Sequence, residues 1–233
     1  MKEGLLQSYT YDHLNRLTQV KENNVTQATY TYDLNGNRAS MTYANGVTTA
    51  YTYNAANWIT GLSNTKGGTT ISSFAYTYYP SGNQASKTDN TGKVTTYAYD
   101  GLGRLTQESE QNGLTVNYTF DAAGNRSQMA VTGTENYTVG YTYDANNRLT
   151  GSTYAGSESH QSYYTYDDNG NLLTSVEWRP QDSLASSANY EYNYFNQLAA
   201  ETINGYSVEM AYNADGIRTV KTAHTCKNNH PPA

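Results

Sequence analysis

The chain has 233 residues, with 14 Lys and Arg against 20 Asp and Glu and a formal net charge of −6. That balance excludes a duplex nucleic-acid binder, which needs a basic stripe for phosphates. No run of about 18 apolar residues exists to cross a membrane as a helix. Leu, Ile, Val and Phe total only 31 residues, whereas Tyr numbers 25 and Thr 33. Tyr and Thr favour strands, Asn and Gly favour tight turns, and the helix builders are sparse, so the composition predicts an all-β protein rich in turns.

Residues 1–8 (Met-Lys-Glu-Gly-Leu-Leu-Gln-Ser) form a short lead-in whose apolar stretch is too short for a signal peptide. Export then uses another route, or the chain is a piece of a longer one. From residue 9 to 221 one phrase recurs: Tyr-Thr-Tyr-Asp, two or three small residues, Asn or Gly, then Arg. Its second aromatic falls at Tyr11, Tyr32, Tyr53, Tyr78, Tyr99, Phe120, Tyr143, Tyr166, Tyr192 and Tyr212, ten copies about 22 residues apart. The expected organisation is one β-array of ten repeats, with no separate domain between them and a flexible tail at 222–233.

Each repeat reads as a β-hairpin. Tyr30-Thr31-Tyr32 places both aromatics on one face of a strand and Thr on the other, and the following turn needs the positive φ that Asn and Gly supply. Two strands per repeat give about twenty short antiparallel strands stabilised by neighbour contacts. Copies alternate in type. Odd copies run Asn15-Arg16-Leu17, Asn57-Trp58-Ile59, Gly103-Arg104-Leu105, Asn147-Arg148-Leu149 and Asn196-Gln197-Leu198. Even copies carry Gly36, Gly82, Gly124, Gly170 and Gly216, with the basic residue usually one place later, as at Arg38, though Gln84 and Leu172 stand there in two copies. A one-place shift turns side chains to the opposite face, so the alternation predicts two hairpins whose return strands leave the turn in different phase. Buried tyrosines, each covering about 150–250 Å², would compensate for missing aliphatics. Their hydroxyls need partners, which suits a thin sheet or hollow shell.

Tyr-Asp-x-x-Gly-Asn-Arg and Tyr-Asp-x-x-Asn-Arg-Leu-Thr resemble the YD repeats of the RHS family of large bacterial surface and secreted proteins and of teneurins. The resemblance covers residues 9 to about 221. It implies a curved or spiralling continuous antiparallel sheet, part of a hollow shell that encloses a toxic C-terminal domain or forms an extracellular shaft. It therefore implies a non-catalytic structural module of a secreted or cell-surface bacterial protein. The expected partners are a cargo or toxin domain of the parent chain, or other sheet edges. Two departures stand out: ten repeats are fewer than a closed shell requires, and the family's Asp-Pro-containing closing element is absent.

Candidate chemistry is sparse. The repeated Asp12, Asp33, Asp100, Asp121, Asp144 and Asp167 read as Asx-type turn formers rather than a Ca²⁺ or sugar site, since Asn54, Asn193 and Asn213 replace them elsewhere. The arginines Arg16, Arg38, Arg104, Arg126, Arg148 and Arg218 are expected to pair with neighbouring Asp across strands. Terminal His224, Cys226 and His230 offer three ligands where structural zinc wants four. His13 and His160 suggest no triad, Glu108 and Glu110 read as solvated charge, and no cofactor, metal or catalytic group is expected. The alternative class is a carbohydrate-binding module. Its candidate ligand residues are Trp58, in the position Arg takes in sister repeats, and Trp178, in an insertion at 176–188 expected to form a loop.

Overall fold

The computed structural model describes residues 6–180 and 184–225. The chain divides into two compact units, Met1–Leu114 and Thr115–Ala233. Unit one holds β1 (Gln7–Tyr11), β2 (Leu17–Glu22), β3 (Val25–Tyr32), β4 (Arg38–Tyr43), β5 (Val47–Tyr53), β6 (Ile59–Lys66), β7 (Thr69–Tyr78), β8 (Gln84–Asp89), β9 (Val94–Tyr99) and β10 (Leu105–Glu110). Each pairs antiparallel with the next. Unit two holds β11 (Thr115–Phe120), β12 (Arg126–Thr132), β13 (Tyr137–Tyr143), β14 (Leu149–Ala155), β15 (His160–Tyr166), β16 (Leu172–Arg179), β17 (Leu184–Tyr192), β18 (Leu198–Ile203), β19 (Tyr206–Tyr212) and β20 (Arg218–Thr225). It repeats the same antiparallel meander. The expected all-β architecture of tandem hairpins is what the chain adopts. β1 begins within the lead-in, and β20 runs to Thr225, four residues into the segment expected as tail.

The phase expectation is overturned. In every hairpin the phrase aromatic pairs with the sixth residue after it, in odd copies (Tyr11 with Leu17, Tyr53 with Ile59) and even ones (Tyr32 with Arg38, Phe120 with Arg126) alike. The seventh residue is an extra, bulged one in all ten, which bends the strand and raises its local twist. A common register follows from a common turn. The fourth residue after the aromatic always has positive φ, whether Asn (Asn15 58°, Asn147 62°) or Gly (Gly36 87°, Gly124 94°). Asn and Gly are alternative occupants of one left-handed position, so their exchange moves chemistry along the turn without moving the strand.

The sheet faces differ sharply. On one lie the phrase aromatics and the tyrosines two places before them, half-buried except at the edge, where Tyr9 and Tyr11 are exposed. On the other, hydroxyls pair across strands: Thr31 with Ser40 at 2.7 Å, Thr77 with Ser86 at 2.7 Å, Thr119 with Ser127 at 2.9 Å and Thr165 with Thr174 at 2.6 Å. Such pairs contribute about 0.2–1 kcal/mol each. Among the described residues no large side chain is fully buried, and the best-buried side chains are small, such as Ala28, Thr49, Thr95, Val131 and Ala188. The tyrosines thus compensate for missing aliphatics only in part by burial.

Their hydroxyls supply the rest. Tyr32 Oη donates to the Leu17 carbonyl at 2.7 Å, Tyr53 to Arg38 at 2.9 Å, and Tyr78 to Ile59 at 2.6 Å. Tyr143 donates to Arg126 at 3.0 Å, Tyr166 to Leu149 at 2.9 Å, and Tyr212 to Leu198 at 3.0 Å. Each acceptor is the sixth residue of the preceding repeat, so each hydroxyl ties one hairpin to the one before it.

Candidate functional site: the row of turns

The densest polar chemistry lies in the ten signature turns. Asp12 shows the pattern: Oδ1 accepts from the Leu14 and Arg16 amides, both at 2.9 Å, and Oδ2 accepts from Arg16 Nε at 2.7 Å. Asp100 and Asp144 do the same with Arg104 and Arg148, each at 2.6 Å from Nε to Oδ2. Asn54, Asn193 and Asn213 keep the backbone half of the motif with Oδ1 alone. That explains why Asn substitutes freely for Asp there. Hydrogen bonds from the fifth residue hold the Asp12, Asp100 and Asp144 carboxyls below the ordinary value of 3.8, against partial desolvation. Asp121 and Asp167 are lowered through Asn125 and Asn171. At Asp33, also lowered, desolvation is the largest single influence, and the hydrogen bonds from Asn37 and neighbouring amides together outweigh it. The carboxylate oxygens point into their own turns, so the Asp row organises backbone. Among the described residues no three His, Cys, Asp or Glu side chains are grouped to hold a metal ion.

The arginines divide by type and do not pair across strands with Asp. Odd arginines bind the Asp of their own turn, and Arg16 and Arg148 also lie over the next repeat's Tyr32 and Tyr166 rings, 4.5 and 5.0 Å from centroid. Even arginines Arg38 and Arg126 lie over Tyr30 and Tyr118 of their own hairpins, at 5.3 and 4.5 Å. Exposed cation–π contacts of this kind contribute about 0.5–1 kcal/mol.

Consecutive turns interlock, and the alternation exists for that. In three odd turns the fifth residue reaches the next even turn's Gly: Arg16 approaches Gly36, Trp58 sits 3.1 Å from where a Gly82 side chain would begin, and Gln197 lies at the same distance from Gly216, while Arg148 donates to the Asp167 carbonyl at 2.8 Å. In three even turns the fifth residue is an Asn that donates Nδ2 both to its own Asp and to the fourth-position Asn of the next odd turn. Asn37 reaches Asn57 Oδ1 at 2.8 Å, Asn125 reaches Asn147 at 2.8 Å, and Asn171 reaches Asn196 at 3.0 Å. These linking asparagines were missed in the sequence reading, although Gly-Asn recurs in the even copies as plainly as Asn-Arg in the odd ones.

The candidate ligand residues fare differently. Trp58 is half-buried, its ring 5.3 Å from Tyr78 and against Gly82, covering the patch Arg covers in sister repeats; it is no free platform. Trp178 is 42% exposed but lies in β16 opposite Gln161 and Ala185. The insertion at 176–188 is therefore mostly strand, lengthening the β16–β17 hairpin rather than forming a loop. His224 is exposed on β20, while Cys226 and His230 fall outside the described residues. His160 stacks on Tyr154 at 4.8 Å. Glu110, expected as solvated charge, is ion-paired to Lys93 at 2.6 Å, which holds its carboxyl below the usual value. Among the described residues, these side chains are not gathered into one site.

None of the curated proteins compared with the chain matches it. Solved structures do. A crystal structure of TcdB2-TccC3-TEV is similar with a TM-score of 0.71 at 16% identity, over 97% of this chain and 14% of that one. TcdB2-TccC3-Cdc42 follows with a TM-score of 0.69 at 16% identity, over 86% and 12%. The Photorhabdus luminescens Tc holotoxin pore gives 0.58 at 17%, over 87% and 13%. The chain thus spans 12–14% of the length of these proteins, and at such identity the likeness is one of fold. The family description Teneurin YD-shell matches residues 2–128, more than half the chain. The chain belongs to the teneurin YD-shell family.

Proposed function

We propose that this chain is a non-catalytic wall segment of a YD shell or shaft that encloses or displays a toxin or effector domain in a secreted or surface protein. The observation that carries this reading is the repeated contact from six phrase tyrosines, Tyr32, Tyr53, Tyr78, Tyr143, Tyr166 and Tyr212, to the preceding repeat's carbonyl, a device for building extended wall one hairpin at a time. The turn carboxylates are committed to the same purpose. Family membership and the fold likeness to Tc holotoxin structures support a cargo-holding role. In this reading the parent polypeptide supplies the cargo, and the outer edges of β1 and β20 are where further wall would add.

The test is protease protection of the cargo domain in the parent polypeptide. With the wall intact, the cargo should resist digestion until the wall itself is cut. Interrupting the wall with Tyr143→Phe and Tyr166→Phe together should expose it sooner. Cargo cleaved as fast in the intact protein as when expressed alone contradicts the proposal.

A further inference from the structure

Consecutive hairpins join in one register. At every junction within the two units, the eighth residue after a phrase aromatic faces the third residue before the next one. Where an odd copy meets an even one, Gln19 faces Thr29, Gly61 faces Ala75, Gly151 faces Tyr163 and Ala200 faces Glu209. Where an even copy meets an odd one, Ser40 faces Ala50, Ser86 faces Thr96, Gln128 faces Gly140 and Thr174 faces Asn189. The side chains at these places range from Gly to Gln, so the join is set by position in the repeat and not by one matched pair of residues.

Two strands offer that join without making it. β1 opens an odd copy and β20 closes an even one. Among the described residues β1 is paired on one side, by β2, and β20 on one side, by β19. Gln7–Tyr11 and residues 218–224 are exposed throughout, whereas every other strand holds half-buried residues. The Leu6 carbonyl accepts from the Asn23 amide at 2.8 Å, so by strand alternation Gln7 and Tyr9 direct their backbone amides and carbonyls outward. Tyr11, 56% exposed, stands at the head of the hydroxyl ladder, and no described residue accepts from its hydroxyl. Odd-copy sisters Tyr53 and Tyr143 donate to the sixth residue of an even copy, Arg38 and Arg126. The equivalent carbonyl on β20 is that of Arg218.

We infer that β1 of one copy of this chain pairs antiparallel with β20 of a second copy, head to tail, with Val220 facing Ser8 and Lys221 facing Gln7. Tyr11 Oη then donates to the Arg218 carbonyl of the second copy. The join satisfies the outward backbone groups that make an open edge prone to unspecific pairing. It is heterologous: each copy presents one edge of each kind, so addition runs on to a filament or closes as a ring instead of stopping at a dimer. Ile217 stands where three even turns carry the linking asparagine, so that bond is absent and the join rests on backbone pairing and the Tyr11 hydroxyl. Association is accordingly weaker than the joins inside the chain and reversible. The inference rests on the reading of these edges as the places where wall adds, but its experiment involves no cargo, so either can fail without the other.

The experiment is analytical ultracentrifugation of the purified chain over a range of concentrations. The weight-average mass should rise reversibly from 25.7 kDa and pass twice that value. Gln7→Pro removes an outward amide and none of the backbone bonds to β2, so it should weaken association at least tenfold with an unchanged melting temperature. Tyr11→Phe should weaken it about fivefold, the worth of one neutral hydrogen bond. It decides the matter if the proline variant fails to fold, since Phe120 occupies the same position naturally. Register is read by mixing a Ser8→Cys chain with a Val220→Cys chain under mild oxidation, each also carrying Cys226→Ser. The unlike pair should cross-link in preference to either like pair, and Thr219→Cys, one place out of register, should not couple to Ser8→Cys. The inference is overturned if the chain stays at 25.7 kDa at every concentration or its mass stops at twice that. It is equally overturned if the folded edge variants associate as tightly as the parent, or if Thr219→Cys couples as readily as Val220→Cys.

Discussion

Replacing Tyr166 by Phe removes one oxygen and little else, because the ring stays over its neighbours and only the 2.9 Å bond to the Leu149 carbonyl is lost. A neutral hydrogen bond of this kind contributes about 0.5–1.5 kcal/mol net. The site is half-buried, so water can reach the freed carbonyl and the loss should fall near 1 kcal/mol. Phe120 is a natural occupant of the same position, which shows that the ring alone is compatible with the fold. Extending the change to Tyr143, Tyr166 and Tyr212 removes three such bonds in unit two. Ladder positions two strands apart are separated by about 9.5 Å, far enough for effects to add, so the triple variant should lose about 3 kcal/mol. Tyr194→Phe is the control: that side chain is fully exposed and off the ladder, and its replacement should change nothing measurable. Urea titration followed by circular dichroism reads all three variants. A triple variant indistinguishable from Tyr194→Phe would refute the claim that hydroxyls tie the repeats together.

Stability should fall at both ends of the pH scale, read as the urea midpoint against pH. The turn carboxyls titrate lower when folded, so their contribution is complete above the unfolded value of 3.8 and disappears as pH falls through the folded values. Burial raises the phenols of Tyr53, Tyr97, Tyr99, Tyr143, Tyr166 and Tyr192 above 10.0, so their contribution is full below 10.0 and lost as pH rises past it. Asp121→Asn should keep neutral-pH stability, as Asn54 does naturally, and flatten the acid limb; an unchanged acid limb counts against the turn assignment. Gly82→Ala should cost more than Gly46→Ala in thermal melts, since both have positive φ (92° and 81°) but only Gly82 meets Trp58. The shared backbone strain is about 1–2 kcal/mol. Deleting Asp33 through Tyr53 joins Tyr32 to Asn54 and leaves an odd turn beside an odd turn. Because the register is common to both types, the product should remain an all-β protein by circular dichroism, with lowered stability from the lost interlock. An unfolded product would show that alternation sets strand phase after all.

Much of this was legible because the decisive information is local. Tyr-Thr-Tyr announces a two-faced strand and Asp-x-x-Asn or Asp-x-x-Gly announces the turn, and the hairpins form at those places. The alternation was misread because a displaced arginine looks like a displaced strand. In fact Gly36 and Asn15 occupy the same left-handed position, and only the residue after them changes. The partners of that residue lie about 20 residues away, on the next turn, which no single repeat discloses. The insertion at 176–188 looked like a loop because it breaks the spacing, yet Val176–Arg179 and Leu184–Ala188 extend both strands of one hairpin. Glu110 read as surface charge because its partner, Lys93, sits 17 residues earlier in the β8–β9 turn.

The central claim is that the wall is stabilised hairpin to hairpin rather than through a shared core. Residue-resolved hydrogen exchange on Tyr53→Phe tests it most directly. The hydroxyl of Tyr53 joins β5 to the Arg38 carbonyl of β4, so protection should fall in β3 to β6 and stay at the parent level in β8 to β10. An equal loss of protection across all ten strands of unit one, or none anywhere, would contradict the account.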